Sequence, residues 1–183
     1  MEQNELFEDA MPTNYIQPGW HKIRAELMAQ GFSSNLLDML YGKARIWAGH
    51  EKWIVFRRNS GGCQYFYQQT DGKFKTSSAD MSCGCFSVGD GYCKKIAVVE
   101  YPLDAIAYHQ LNRDTLVMAT GCTVSLRYAM RSINNLADYD FAVAFMDDFA
   151  RNNEHKEMLI THPNIRRIAP PKGKRWIDML KNI

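Results

Sequence analysis

The sequence predicts an α/β fold: a mainly parallel sheet flanked by helices, preceded by a helical and antiparallel β region. Three observations carry this. From Lys94 onward, short apolar runs alternate with segments of helical spacing, the pattern of βαβ units. Ahead of them, aromatic and β-branched runs are separated by Gly and Asn turns, as in a hairpin or meander. Before those, two stretches carry apolar residues at the helical period.

Taken in order, WHKIRAELMAQGF places Trp20, Ile23, Leu27 and Met28 on one helical face, and Gly31 suits the helix end. Ser33 or Ser34 then caps NLLDMLYGKA, whose Leu36, Leu37 and Leu40 form an apolar stripe ending at Gly42. WIVFRR, GCQYFYQQ and a short run from Lys73 to Thr76 read as antiparallel strands, with Trp53, Phe56, Tyr65, Phe66 and Tyr67 forming a small core. Gly84, Gly89 and Gly91 break the next stretch into loop and short strand. KIAVVE is a strand and PLDAIAYHQL a helix, with Pro102 in the first turn, where a missing N–H costs nothing. TLVMAT, a helix over TVSLRYAMRSINNL, the strand DFAVAFM, a helix toward Leu159, the strand NIRRIA and a closing helix KRWIDMLKN complete the alternation. The expected organisation is an acidic, flexible arm over 1–19, an accessory region over 20–93 and an α/β domain over 94–183.

A content of 46% hydrophobic and 23% charged residues is that of an ordinary globular protein, and 183 residues suffice for one well-buried domain with an appendage. No apolar run approaches the roughly 20 residues of a membrane span. The start MEQNELFEDAMPTNY is acidic and lacks the basic and apolar parts of a secretory signal, so a cytoplasmic location without membrane attachment is expected. Five cysteines, an odd number, fit reduced thiols there. Cys83, Cys85 and Cys93 in CGCFSVGDGYC are too tightly spaced for a structural zinc site and have no obvious fourth ligand, so no zinc is expected. A net charge of +2 excludes a whole-molecule affinity for polyanions. The distribution is less even: the tail carries Arg166, Arg167, Lys172, Lys174, Arg175 and Lys181 against Asp178 alone.

Two apolar strands end on acids, Glu100 after the first and Asp147 with Asp148 after the third. Ligands of open α/β sheets bind beyond the strand tips, and gathered carboxylates repel one another unless a cation neutralises them. The pattern therefore points to a divalent-cation site.

These motifs resemble the Toprim domain of topoisomerases, bacterial primases and OLD-type nucleases. More narrowly, they resemble Toprim variants of plasmid mobilisation and primase-like proteins of mobile elements, in which a small helical and β-rich region precedes the core. VVEYPLDAIAY is similar to their acid motif at Glu100 and Asp104, MATGC to the Gly turn at Gly121, and PPKGKRWIDML to the closing motif at Lys174, Trp176, Asp178 and Leu180. The resemblance implies Glu100 as general acid or base, Glu100, Asp147 and Asp148 as Mg²⁺ ligands, and Asp104, Gly121, Lys174 and Asp178 in support.

The departures are as informative. Met146 stands where the family has its first metal-binding Asp, Arg151 where it has Gly, and Arg175 and Ile177 alter the closing motif. A thioether cannot replace a carboxylate on Mg²⁺. Weak Mg²⁺ binding and little or no catalysis are therefore expected, in a nucleic-acid-associated or partner-binding factor of a plasmid or phage. Its partners would be DNA or RNA, or a protein of the host or the element. Phosphate contacts would come from Arg151, Arg166, Arg167, Lys172, Lys174 and Arg175. Two other readings stay open: a Mg²⁺-dependent Toprim nuclease, nickase or primase, and an inhibitor that binds a host or defence protein.

Overall fold

The computed structural model describes residues 18–49, 53–59, 62–68, 74–78, 84–121, 126–131, 133, 136–146 and 149–182. The chain divides into two compact units, one ending at Ser82 and the other starting at Cys83.

In the first unit, α1 (Pro18–Ala29) and α2 (Ser34–Gly42) precede an antiparallel sheet of β1 (Ile46–Ala48), β2 (Ile54–Arg57), β3 (Cys63–Gln68) and β4 (Phe74–Ser78), paired in that order. Trp20, Ile23 and Leu27 are buried as their spacing predicts, while Met28 is 41% exposed at the edge of the stripe. Gly31 ends α1 with φ 99°, a conformation that glycine alone adopts without cost. Ser33 takes the cap position of α2, but its side chain makes no cap hydrogen bond. The Arg24 guanidinium donates to both carboxylate oxygens of Asp38 at 2.7 and 2.8 Å and ties the helices together. Phe56 and Phe66 are fully buried and meet edge to face, which is the core role expected of them. The strand β1 had no counterpart among the sequence expectations, because three residues are too few to show a period.

The second unit holds a five-stranded sheet in the order β5-β7-β6-β8-β9. Its strands are β5 (Phe86–Val88), β6 (Lys95–Val99), β7 (Thr115–Ala119), β8 (Asp140–Val143) and β9 (Arg166–Arg167). The pairs β7–β6, β6–β8 and β8–β9 are parallel, and β5 adds an antiparallel edge to β7. The connecting helices are α3 (Pro102–Leu111), α4 (Leu126–Arg131) and α5 (Phe149–Thr161), and α6 (Trp176–Met179) closes the chain with a 3₁₀ turn. This is the predicted mainly parallel sheet flanked by helices, with a helical and antiparallel β region before it.

Alternation along the strands sorts the side chains by face. Ile96, Val98, Phe141, Val143 and Phe145 join Leu126, Ala129, Met130 and Met158 of α4 and α5 in one core. The opposite face is built from smaller residues, Ala97, Val99, Ala142 and Ala144, all buried. Helix α3 packs against β6, β7 and α6, and it is buried from Pro102 through His109. Enclosure on every side explains why its sequence is apolar all round rather than striped. Gly89, after β5, has φ 108°, and a Cβ there would lie 3.0 Å from Leu116 Cα and the Thr115 carbonyl. The helix expected over TVSLRYAMRSINNL is described only as α4, and β9 is two residues long, since NIRRIA offers little apolar surface to extend it.

Candidate functional site

The chain runs from β6 through α3 to β7 on one side, then returns past β6 to β8 on the other. The order of the parallel strands therefore reverses between β6 and β8, and ligands of open α/β sheets bind in the crevice beyond the carboxyl ends at such a point. Glu100 follows β6 there, and Met146 lies beyond the end of β8. Asp147 and Asp148 lie outside the described residues.

The backbone fixes Glu100. Beyond the last paired residues of β6 and β7, the Thr120 N–H donates to the Val99 carbonyl at 3.0 Å and the Gly121 N–H to the Glu100 carbonyl at 2.7 Å. Gly121 has φ 66°, so the turn expected of it is made in the left-handed region. Its role is to extend the β6–β7 ladder to the acid.

Asp104, in the first turn of α3, is 3% exposed. Arg175 donates to its Oδ2 from Nε at 3.1 Å and Nη2 at 2.7 Å, and the Ile177 N–H lies 3.4 Å from Oδ1. The Arg175 guanidinium also lies over the Tyr101 ring, 4.7 Å from its centroid. Asp178 accepts the Arg175 N–H at 2.8 Å, which starts α6 with the arginine already aimed at α3. Burial pushes the Asp104 carboxyl above its ordinary range. Arg175 and the Ile177 N–H oppose that shift, and the nearby Glu100 charge adds to it. The helix N-terminus adds a further favourable field for the anion.

Two more contacts hold α6 and the β8 exit in place. Trp176 donates its indole N–H to the Ala144 carbonyl at 2.7 Å and meets Tyr108 edge to face. Arg167, the last residue of β9, donates to the carbonyls of Val143, Phe145, Met146 and Ile168 at 2.6 to 3.3 Å. Its guanidinium thus satisfies the carbonyls exposed where β8 gives way to loop.

The predicted site residues therefore separate into groups. Glu100, Asp104, Gly121, Arg175 and Asp178 gather at the carboxyl end of the sheet. Lys172 and Lys174 are exposed on the turn before Arg175, where Gly173 has φ 75°. Arg166 grips both oxygens of Asp140 at 2.8 and 2.6 Å, toward the amino end of the strands. Arg151 lies in α5. Tyr101 and the carbonyl-binding role of Arg167 were not among the expectations. An aromatic residue between a strand-tip acid and a helix-starting proline was the available signal for Tyr101.

Among the described residues, no three His, Cys, Asp or Glu side chains converge on a point that could hold a metal ion. At the crevice, the carboxylate nearest to Glu100 along α3 is already paired with a guanidinium, and Met146 offers no side-chain oxygen. Cys85 is buried and Cys93 partly so, with its Sγ 3.5 Å from Asp90.

No family model matches the sequence, and no curated protein matches it. Among solved structures there is a likeness to the bacteriophage T7 lagging-strand DNA polymerase interacting with primase domains of two gp4 subunits bound to an RNA/DNA hybrid and dTTP. The similar chain is a gp4 primase domain; the TM-score is 0.57 at 18% identity, over 85% of this chain and 84% of that one. Among the described residues no helix is long and apolar enough to cross a membrane. At that identity the likeness bears on fold alone, and the fold is Toprim-like.

Proposed function

We propose that the chain is a degenerate Toprim-like factor of a mobile genetic element that associates with nucleic acid and has weak or no phosphoryl-transfer activity. The observation that carries this reading is the Arg175–Asp104 pair, with the arginine stacked on Tyr101, at the switch-point crevice beside Glu100. A guanidinium supplies positive charge to these acids without the open coordination positions that metal-assisted phosphoryl transfer needs. The exposed Lys172 and Lys174 on the neighbouring turn favour nucleic acid as the partner, since lysines at a surface turn reach phosphates as point charges.

The test measures binding to, and cleavage of, supercoiled plasmid and single strands with Mg²⁺ or Mn²⁺, for the wild type and Glu100→Gln. The expected result is salt-sensitive binding with no metal-dependent product above the Glu100→Gln background. Replacing Lys172 and Lys174 together by Ala should lower the slope of log K against log salt by about 1.4 to 1.8. Robust nicking that disappears in Glu100→Gln would establish the enzyme reading instead. Absence of both binding and cleavage would favour the inhibitor that targets a protein.

A further inference from the structure

On the sheet face that carries Ile96, Val98, Phe141 and Val143, the helical cover leaves a gap. Helix α4 stops at Arg131 after six residues, while α5 runs on to Thr161. Between them opens a groove of about 410 Å³, with Arg127, Met130 and Arg131 on one side and Met158, Thr161 and His162 on the other. A second hollow of about 240 Å³, lined by Tyr139, Phe141 and Ile165, shares Thr161 and His162 with the first and continues it.

The rim carries exposed apolar surface. Glu157 reaches Arg127 from α5 and Thr161 lines the groove, and Ile160 shares their side of the helix, since residues three and four apart lie on one face. Ile160 is 83% exposed. Tyr128, beside Arg127 on α4, is also an exposed apolar side chain. Arginine, methionine and aromatic residues are the types that protein interfaces concentrate, and a methionine floor adapts to whatever side chains are laid on it.

The charge on the wall selects the partner. Arg127 and Arg131 stand one helical turn apart on α4. Arg127 meets Glu157 only at 3.8 Å with both side chains exposed, a surface contact that contributes little and is easily exchanged. Arg131 has no ion pair or hydrogen bond among the described residues. Their complement is a pair of acids one turn apart. Both walls are built on helices, whose backbone groups are used internally, so a strand would find no main-chain partners here. No aromatic ring lines the hollow beside the arginines, so a nucleic-acid base has nothing to stack on.

We propose that this groove is the docking site for an acidic amphipathic helix of a partner protein. Its apolar side chains would lie over Met130, Met158 and Ile160, with two acids one turn apart on Arg127 and Arg131. The site does not depend on the function proposed for the carboxyl-end crevice.

The test is fluorescence anisotropy of the full chain with a labelled synthetic helix of about 14 residues, roughly four turns, bearing leucines on one face and glutamates one turn apart at its border. A peptide of the same composition in scrambled order is the comparison. A Kd of about 100 µM is expected for the amphipathic peptide, and binding at least about tenfold weaker for the scrambled one. Arg131→Glu, at an exposed position, should leave the melting temperature unchanged and weaken binding about tenfold, and should gain affinity for a peptide with lysines in place of the glutamates. Ile160→Ser should weaken binding through lost apolar burial and provides a second reading that leaves the charges intact. No binding up to about 1 mM, ten times the expected Kd, equal binding of the scrambled peptide, or affinity unchanged in both variants would overturn the proposal. Displacement of the peptide by a single-stranded oligonucleotide at lower concentration would overturn it too, by assigning the groove to nucleic acid.

Discussion

Replacing Arg175 by Met removes the guanidinium while leaving an apolar stem of similar length over Tyr101. The Asp104 side chain is 4% exposed and that of Arg175 14%, so the substitution strands a buried carboxylate. Breaking such a pair from one side costs about 3 to 5 kcal/mol when the remaining charge cannot be neutralised. Here it can be, by protonation, and this gives the effect a pH dependence with a definite sign. Without Arg175 the folded carboxyl rises further above its ordinary value of 3.8, because two opposing influences are lost. A carboxyl whose folded pKa lies above the unfolded one favours the folded state most when protonated. The deficit of Arg175→Met should therefore be small near pH 4, grow as pH rises through the elevated folded pKa, and level off above it. The assay is native-state hydrogen exchange at the amides of Ile96 and Val98, which report on the unit that holds the pair. About 3 kcal/mol corresponds to a roughly 100-fold ratio of variant to wild-type exchange at pH 8. A ratio near one, or the same ratio at pH 5 and pH 8, would refute the reasoning. The paired substitution Asp104→Leu with Arg175→Met should recover most of the loss, since a well-packed apolar pair is about as stable as a buried ion pair.

Gly89→Ala should destabilise the second unit by about 2 kcal/mol in urea titration, because φ 108° and a Cβ 3.0 Å from backbone atoms both oppose it. Among the described residues the buried His155 has no hydrogen-bond partner for Nε2, and burial holds its pKa below the ordinary value of 6.5, with a smaller lowering from Arg167 and an opposing contact to the Ile165 backbone. The unfolded chain therefore takes up the proton first, and stability should fall as pH drops below 6.5 toward the folded pKa; His155→Phe should flatten that slope in unfolding curves measured across the range. Met146→Asp should strengthen Mg²⁺ binding measured by calorimetry, since it supplies an oxygen ligand where the wild type has sulfur; an unchanged affinity would refute a role for that position.

Sequence alone went furthest where one local rule decided the outcome. Ile96 to Val99 is an unbroken apolar run and became most of the central strand, while Pro102 marked the start of α3. The two-residue β9 and three-residue β1 fall below the length at which a period can be read. At the crevice, Glu100 and Gly121 were legible because a strand tip and a tight turn are local features. Their neighbours were not. Asp104 meets an arginine 71 residues away, and Arg167 reaches carbonyls about 22 residues back in the chain. Nothing in either segment separates a guanidinium that will be fully engaged inside the fold from one that will face solvent. The tail thus reads as a basic patch, although Arg166, Arg167 and Arg175 all have partners inside the second unit.

That inward engagement also bears on how a metal ion could bind at the crevice. For a divalent ion to use Asp104, it would have to displace Arg175 from Oδ2, and this arginine is held from three directions: the carboxylate, the Tyr101 ring and the Asp178 cap on its backbone. The displaced guanidinium would need a new partner or water, at a cost comparable to breaking a buried pair. Mg²⁺ gives up its own water reluctantly, so the positive charge of Arg175 weighs against its entry. An oxygen ligand added at position 146 adds attraction but leaves the competing cation in place. Met146→Asp combined with Arg175→Met should therefore bind Mg²⁺ more tightly than Met146→Asp alone, because the second change removes the positive charge that repels the ion and frees a buried carboxylate to meet it. If the double variant bound no better, the Arg175–Asp104 pair would be a fold-stabilising contact with no bearing on the metal.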